Sequence, residues 1–208
     1  MVFPSLNEAQ IDALREITNI GAGQAATALS QLVKQRVMIH IPEIKITNFS
    51  QVLEIIGGAE VLVAAIYFQI FGDAQGNILL IFPGRSAEIL SSRLLRREQQ
   101  EGILGTAEGE SVLKEVGNIL SGAYLNAFGS MVGLTLIQST PHFAWNRAGA
   151  VMDHVLIKQG QKGDLALMLR TQLKAKNKDI QGHFFLFPDP QSLEIILKAI
   201  DQRLKRLK

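Results

Sequence analysis

Residues 12–23, Asp12-Ala13-Leu14-Arg15-Glu16-Ile17-Thr18-Asn19-Ile20-Gly21-Ala22-Gly23, and residues 111–122, Ser111-Val112-Leu113-Lys114-Glu115-Val116-Gly117-Asn118-Ile119-Leu120-Ser121-Gly122, carry one pattern twice. Twenty-two residues separate Asn19 from Pro42, and twenty-two separate Asn118 from Pro141; every member of the second copy stands 99 positions after its counterpart. On an α-helix, positions i, i+4 and i+7 share one stripe. Asp12, Glu16 and Asn19 therefore face one way, with Gly23 a turn further on, and Ser111, Glu115, Asn118 and Gly122 repeat the arrangement. A glycine inside a helix costs about 1 kcal/mol relative to alanine. Gly23 and Gly122 thus predict two places where something approaches the helix backbone closely.

Working outward, the segments around the motifs replay each other. Ser5-x-x-Glu8 reads as a capping box for a helix from near Leu6 to about Val33. Val37, Ile39 and Ile41 then alternate, Pro42 interrupts, and Ile44 and Ile46 resume, as in a strand. Further strands are predicted at Val61–Phe71 and Ile78–Phe82 across a turn at residues 72–76, followed by a helix at Ser86–Arg97. The second half runs from a helix at about Glu110–Phe128 to strands near Gly133–Gln138, Ala150–Ile157, Leu165–Leu173 and Gly182–Phe187. A closing helix opens at Asp189-Pro190. Leu80-Ile81-Phe82-Pro83 and Phe185-Leu186-Phe187-Pro188 occupy matching places, and Ser86-x-Glu88 recurs as Ser192-x-Glu194, so the second copy carries a few inserted residues. Strands clustered between helices favour α+β over a doubly wound sheet. The expected fold is a single pseudo-two-fold α+β domain over residues 1–208, with long motif helices packed on an antiparallel or mixed sheet. Repeat 1 spans about 5–97 and repeat 2 about 106–207, joined by the polar stretch Glu98–Glu110.

Composition excludes several function classes. With 47% hydrophobic and 19% charged residues among 208, the chain is a folded protein rather than a disordered one. It has no cysteine, hence no disulfide, thiol nucleophile or thiolate metal centre. A net charge of +2 does not call for nucleic acid. The basic clusters Arg93-Arg96-Arg97 and Arg203-Lys205-Arg206-Lys208 end predicted helices, where cations complement the dipole. The start of the chain lacks the basic and apolar regions of a secretory signal, and Val61–Phe71 is too short to span a bilayer. These features lead to an expectation of a cytoplasmic protein without membrane insertion. His40, His142, His154 and His183 have no local ligand spacing, and Trp145 reads as a packing residue.

A carboxamide is neither nucleophile nor general base near neutrality, but it donates and accepts hydrogen bonds at once, which suits it to holding a water. A carboxylate one turn away can pair with a cation on a partner. No Ser-His-Asp set and no phosphate-cradling loop accompanies them, so a catalytic role would need machinery from the bound partner.

The two motifs resemble the signature of the CheC/CheX/FliY family of chemotaxis phosphatases: Asp or Ser, then x3-Glu-x2-Asn-x22-Pro. Both copies match at every specified position, and the run from Asn19 to Ser30 is similar to the CheC branch. The resemblance implies hydrolysis of the aspartyl phosphate on the response regulator CheY by two equivalent sites. It assigns Glu16, Asn19, Glu115 and Asn118 as catalytic: each asparagine orients an attacking water for in-line displacement, and each glutamate pairs with the regulator's active-site lysine. Asp12, Gly23, Pro42, Ser111, Gly122 and Pro141 become substrate-binding or motif-support residues. The regulator contributes Mg2+, so no cofactor or metal of the chain's own is expected. The receptor deamidase CheD is the implied second partner. The same helices could instead serve a non-catalytic adaptor that binds CheD or phosphorylated CheY.

Overall fold

A motif stripe needs a long helix with defined ends, and both copies have one. The computed structural model describes residues 7–34, 36–97, 102–159, 165–175 and 178–206. The elements run α1 (Glu8–Val33), β1 (Val37–Asn48), α2 (Phe49–Ile56), β2 (Leu62–Gly72), β3 (Gly76–Pro83) and α3 (Gly84–Leu94). After a 3-10 turn at Ile103–Gly105 follow α4 (Ala107–Val132), β4 (Leu136–Gln138), β5 (His142–Arg147), α5 (Ala148–Gln159), β6 (Leu165–Ala175), β7 (Lys178–Pro188) and α6 (Pro190–Arg206). Asn7 caps α1: its side chain accepts from the Gln10 backbone N–H at 2.9 Å, and the Gln10 side chain accepts from the Asn7 N–H at 3.1 Å. The capping box therefore uses Asn7 and Gln10 rather than Ser5 and Glu8, and Ser5 lies outside the described residues. In α4, Thr106 is the N-cap and Gly133, at φ 74°, the left-handed C-cap.

The α+β class and the internal pseudo-two-fold hold. Among the described residues the sheet has seven strands in the order β1-β6-β7-β3-β2-β4, with β5 also on β2, and their pairings are antiparallel. β3 and β7 meet at the centre. The strand following each motif helix crosses to the other repeat: β1 pairs with β6, while β4 and β5 pair with β2. The 99-residue offset persists here. Val37 and Leu136 open equivalent strands, Asn48 and Arg147 close them, and Phe49 and Ala148 begin equivalent helices. Each strand is interrupted near its proline, which has no N–H for the ladder. The β1–β6 register slips between His40 and Glu43, spanning Pro42, and β4 and β5 part at residues 139–141, ending on Pro141.

The central strands are apolar on both faces. Ala64, Ile66, Phe68, Leu80 and Phe82 pack with α1, α3 and α4, whereas Val63, Ala65, Tyr67, Leu79 and Ile81 pack with α2 and α5. Burial on two sides explains their nearly unbroken hydrophobic runs.

Four local features depart from the sequence expectation. The predicted strand Ala150–Ile157 is part of helix α5. Its valines and isoleucine suggested a strand, but Ala148, Val151, Met152 and Val155 are the buried positions, and that spacing is helical. Helix α2 was not anticipated, being eight residues anchored by Val52 and Ile56. Strand β5 was likewise not anticipated, although Phe143 and Trp145 alternate inward. The strand expected at Gly133–Gln138 shortens to Leu136–Gln138 because Gly133 ends the preceding helix. No described helix is long and apolar enough to cross a membrane.

Helices α1 and α4 lie side by side and antiparallel, with the early turns of α1 (Leu14, Ile17) clustered with the late turns of α4 (Ala127, Phe128). They approach closely at Gly21, where an added Cβ would stand 2.6 Å from Tyr124 Cδ1 and 3.1 Å from Tyr124 Cα. Gly21→Ala should destabilise the fold by about 1–3 kcal/mol through overpacking. Urea unfolding measures this, and an unchanged midpoint would mean that the helices are free to separate.

Candidate functional site

Packing decides which helix faces remain for function. In α1, Leu14, Ile17, Thr18, Gly21, Ala22, Ala25 and Leu29 are buried, which leaves Asp12, Glu16, Asn19 and Gly23 exposed on the opposite side. In α4, Leu113, Val116, Gly117, Leu120, Ser121, Tyr124 and Leu125 are buried, Ser111 and Glu115 are exposed, and Asn118 and Gly122 are half-buried. The structure thus gathers each sequence-predicted stripe on one solvent-facing surface of its helix. Pro42 and Pro141 stand in the sheet instead, where they interrupt strand pairing.

The two stripe glycines are uncrowded. A Cβ on Gly23 would meet nothing within 4 Å, and one on Gly122 only the tip of Gln138, at 4.0 Å. These glycines are not forced by packing inside the protein, unlike Gly21, or Gly117, whose Cβ would meet Ile66 Cγ2 at 2.9 Å. Beside each asparagine stands an isoleucine: Ile20, 41% exposed, and its counterpart Ile119, half-buried. Polar and apolar contacts are thereby offered together, as a protein-docking surface needs.

Asp12 pairs with Arg15 at 3.3 Å across an exposed i,i+3 step, and Lys114 pairs with Glu110 at 2.5 Å. Glu16 and Glu115 have no ion-pair partner among the described residues, so both carboxylates are available to an external cation. Among the described residues, no three His, Asp or Glu side chains are grouped to hold a metal ion. The stripe can accept a cation and orient a small polar molecule, and it offers no nucleophile.

One neighbour escaped the sequence reading. Gln138, at the end of β4, places its Nε2 3.4 Å from Asn118 O and 3.5 Å from Asn118 Oδ1. The signal was present in the 99-residue register, where Gln138 falls opposite Ile39 and Thr140 opposite Ile41: polar side chains replace apolar ones.

Fold and site together define a duplicated α+β domain with one acid–amide stripe per repeat. The CheC-like family profile matches residues 10–46, the first stripe and the strand after it. CheY-P phosphatase CheC of Bacillus subtilis is 32% identical over 207 residues, covering 98% of this chain and 99% of that protein. In fold, the chain resembles Thermotoga maritima FliY, with a TM-score of 0.76 at 14% identity over 98% of this chain and 100% of that one. It also resembles Borrelia burgdorferi CheX, solved as a complex with CheY, BeF3 and magnesium, with a TM-score of 0.50 at 15% identity over 86% and 97% of the two chains. The chain belongs to the CheC-like family.

Since Gly23 and Gly122 are helical and uncrowded, Gly23→Ala and Gly122→Ala should each stabilise the isolated protein by about 0.5–1 kcal/mol. Thermal or urea denaturation reads the gain; a loss at either position would mean that its groove is already filled from within.

Proposed function

We propose that this chain is a chemotaxis phosphatase that hydrolyses the aspartyl phosphate of the response regulator CheY, with one site on each motif helix. The observation that carries the reading is that both Glu–Asn stripes face solvent from rigid helices, each beside a glycine that leaves its backbone open. The full-length likeness to a CheY-P phosphatase supports the same reading.

In this mechanism the regulator docks its phosphoaspartyl pocket over the stripe. The carboxamide of Asn19 or Asn118 accepts a hydrogen bond from water, directing the water's lone pair at phosphorus opposite the aspartyl oxygen. The new P–O bond forms as the P–O bond to aspartate breaks, releasing phosphate and a carboxylate. Glu16 or Glu115 pairs with the regulator's active-site lysine, which fixes the approach and offsets the repulsion between carboxylate and phosphoryl group. Magnesium bound by the regulator neutralises charge on the transferring group. CheD is the second partner in this reading: it raises turnover by binding away from the motif helices, and the encounter takes place in the cytoplasm.

Asn19→Ala combined with Asn118→Ala should reduce phosphate release from phosphorylated CheY to the regulator's spontaneous rate, whereas each single variant keeps activity. Wild-type turnover by the double variant would refute the mechanism. Glu16→Gln with Glu115→Gln should weaken binding of a non-hydrolysable phosphoryl mimic of CheY by about 1–3 kcal/mol. Unchanged affinity would remove the lysine pairing. In the same assay, added CheD should raise the rate; displacement of CheY without any hydrolysis would leave a sequestering module instead.

A further inference from the structure

The two sites are not built alike. β4 is held against β2 by the pairing of Ile70 with Gln138, and the next residue locks the strand end: Ser139 N–H donates to Gln69 O at 2.9 Å, and Gln69 N–H to Ser139 Oγ at 3.0 Å. From this fixed point the Gln138 side chain reaches α4 beneath the second stripe. Its Nε2 faces both oxygens of Asn118, at 3.4 and 3.5 Å. The backbone carbonyl settles which way round the amide lies, because only the NH2 end can meet it favourably. Gln138 Oε1 is buried and accepts no hydrogen bond from the described residues. A buried amide oxygen without a partner is unfavourable, so this glutamine is a poor choice for stability alone.

We propose that Gln138 is a positioning residue for Asn118, which makes the second site the preorganised member of an unequal pair; this rests on the reading that Asn118 orients the attacking water. A carbonyl oxygen has two lone pairs. The Gln138 amide approaches one of those on Asn118 Oδ1, leaving the other for the water, and it distinguishes the oxygen end of the carboxamide from the nitrogen end. The distances are long in the free protein, as is common before a partner closes over a site. At the first site the equivalent position is Ile39, half-buried against the core, which donates nothing. Asn19 has no side-chain hydrogen-bond partner among the described residues. It must be oriented by the docked regulator itself.

The test uses Gln138→Met, which keeps the length of the side chain and removes both the donor and the unpaired oxygen. In an Asn19→Ala background only the second site works. There Gln138→Met should lower kcat for phosphate release from phosphorylated CheY on the order of tenfold, the scale of a misplaced reactive group. KM and the affinity for beryllofluoride-treated CheY should stay constant, and the melting temperature should hold or rise. Combined with Asn118→Ala, it should add no loss beyond that of Asn118→Ala alone. Should Gln138→Met fold poorly, Gln138→Asn, which shortens the reach of the donor, carries the same expectation. An unchanged kcat in the Asn19→Ala background, or equal proportional losses in both backgrounds, overturns the proposal. If the Asn19→Ala/Asn118→Ala double variant keeps the wild-type rate, the phosphatase reading itself falls. If that variant is inactive while Gln138→Met is silent, only the positioning role falls.

Discussion

The close approach of α1 to α4 at Gly21 and Tyr124 is the contact on which the rest of the molecule depends. Each helix has 26 residues and is far too apolar on its packed side to stand alone. Pressing small residues of α1, Gly21, Ala22 and Ala25, toward Leu120, Tyr124 and Leu125 buries one face of each helix and turns the other to solvent. The outward faces carry the acid and the amide. A docking stripe on a helix held along its whole length keeps its side chains at fixed spacing, which a loop would not do.

Duplication reaches deeper than the two helices. Each motif helix hands its following strand to the opposite repeat, so β1 completes the edge beside β6, and β4 with β5 completes the edge beside β2. Neither repeat can close its own sheet without the other. The prolines at the two interruptions belong to this construction: they end a stretch of ladder where the strand must change course. That arrangement also lets the copies diverge. One exchange among several in the strand below the helix, Ile39 against Gln138, alters the surroundings of one asparagine while the backbone repeat stays intact.

The features legible in the sequence were those with a period or a register. The helical stripes, the apolar central strands and the 99-residue repeat are all patterns along one dimension, and they led to the correct class and to both exposed faces. What escaped was set by tertiary contact. Helix α5 looked like a strand because Val151, Val155 and Ile157 are β-branched, yet its packing against Val63 and Phe185 selects one helical side. Strand β5 exposes most of its residues, so only Phe143 and Trp145 mark it, too few for a composition-based reading. The N-cap moved from Ser5 to Asn7 because two capping boxes overlap in Ser5-Leu6-Asn7-Glu8-Ala9-Gln10, and local sequence does not choose between them. Gln138 is neighbour to Asn118 across twenty residues and a sheet edge.

The incompleteness of the site follows from its chemistry. A phosphoryl group carries negative charge, and Glu16 and Glu115 would repel it were they left uncompensated. Asp12 is already engaged with Arg15, an exposed pair worth little on its own. In the proposed mechanism the exposed glutamates meet a cation of the regulator, which brings it together with the phosphoryl group. That mechanism would couple recognition to chemistry, because the lysine, metal and phosphoryl group would all arrive with the regulator. Under that constraint the protein contributes little beyond geometry. A carboxamide suits the proposed role, because it would order a water without adding charge to the site.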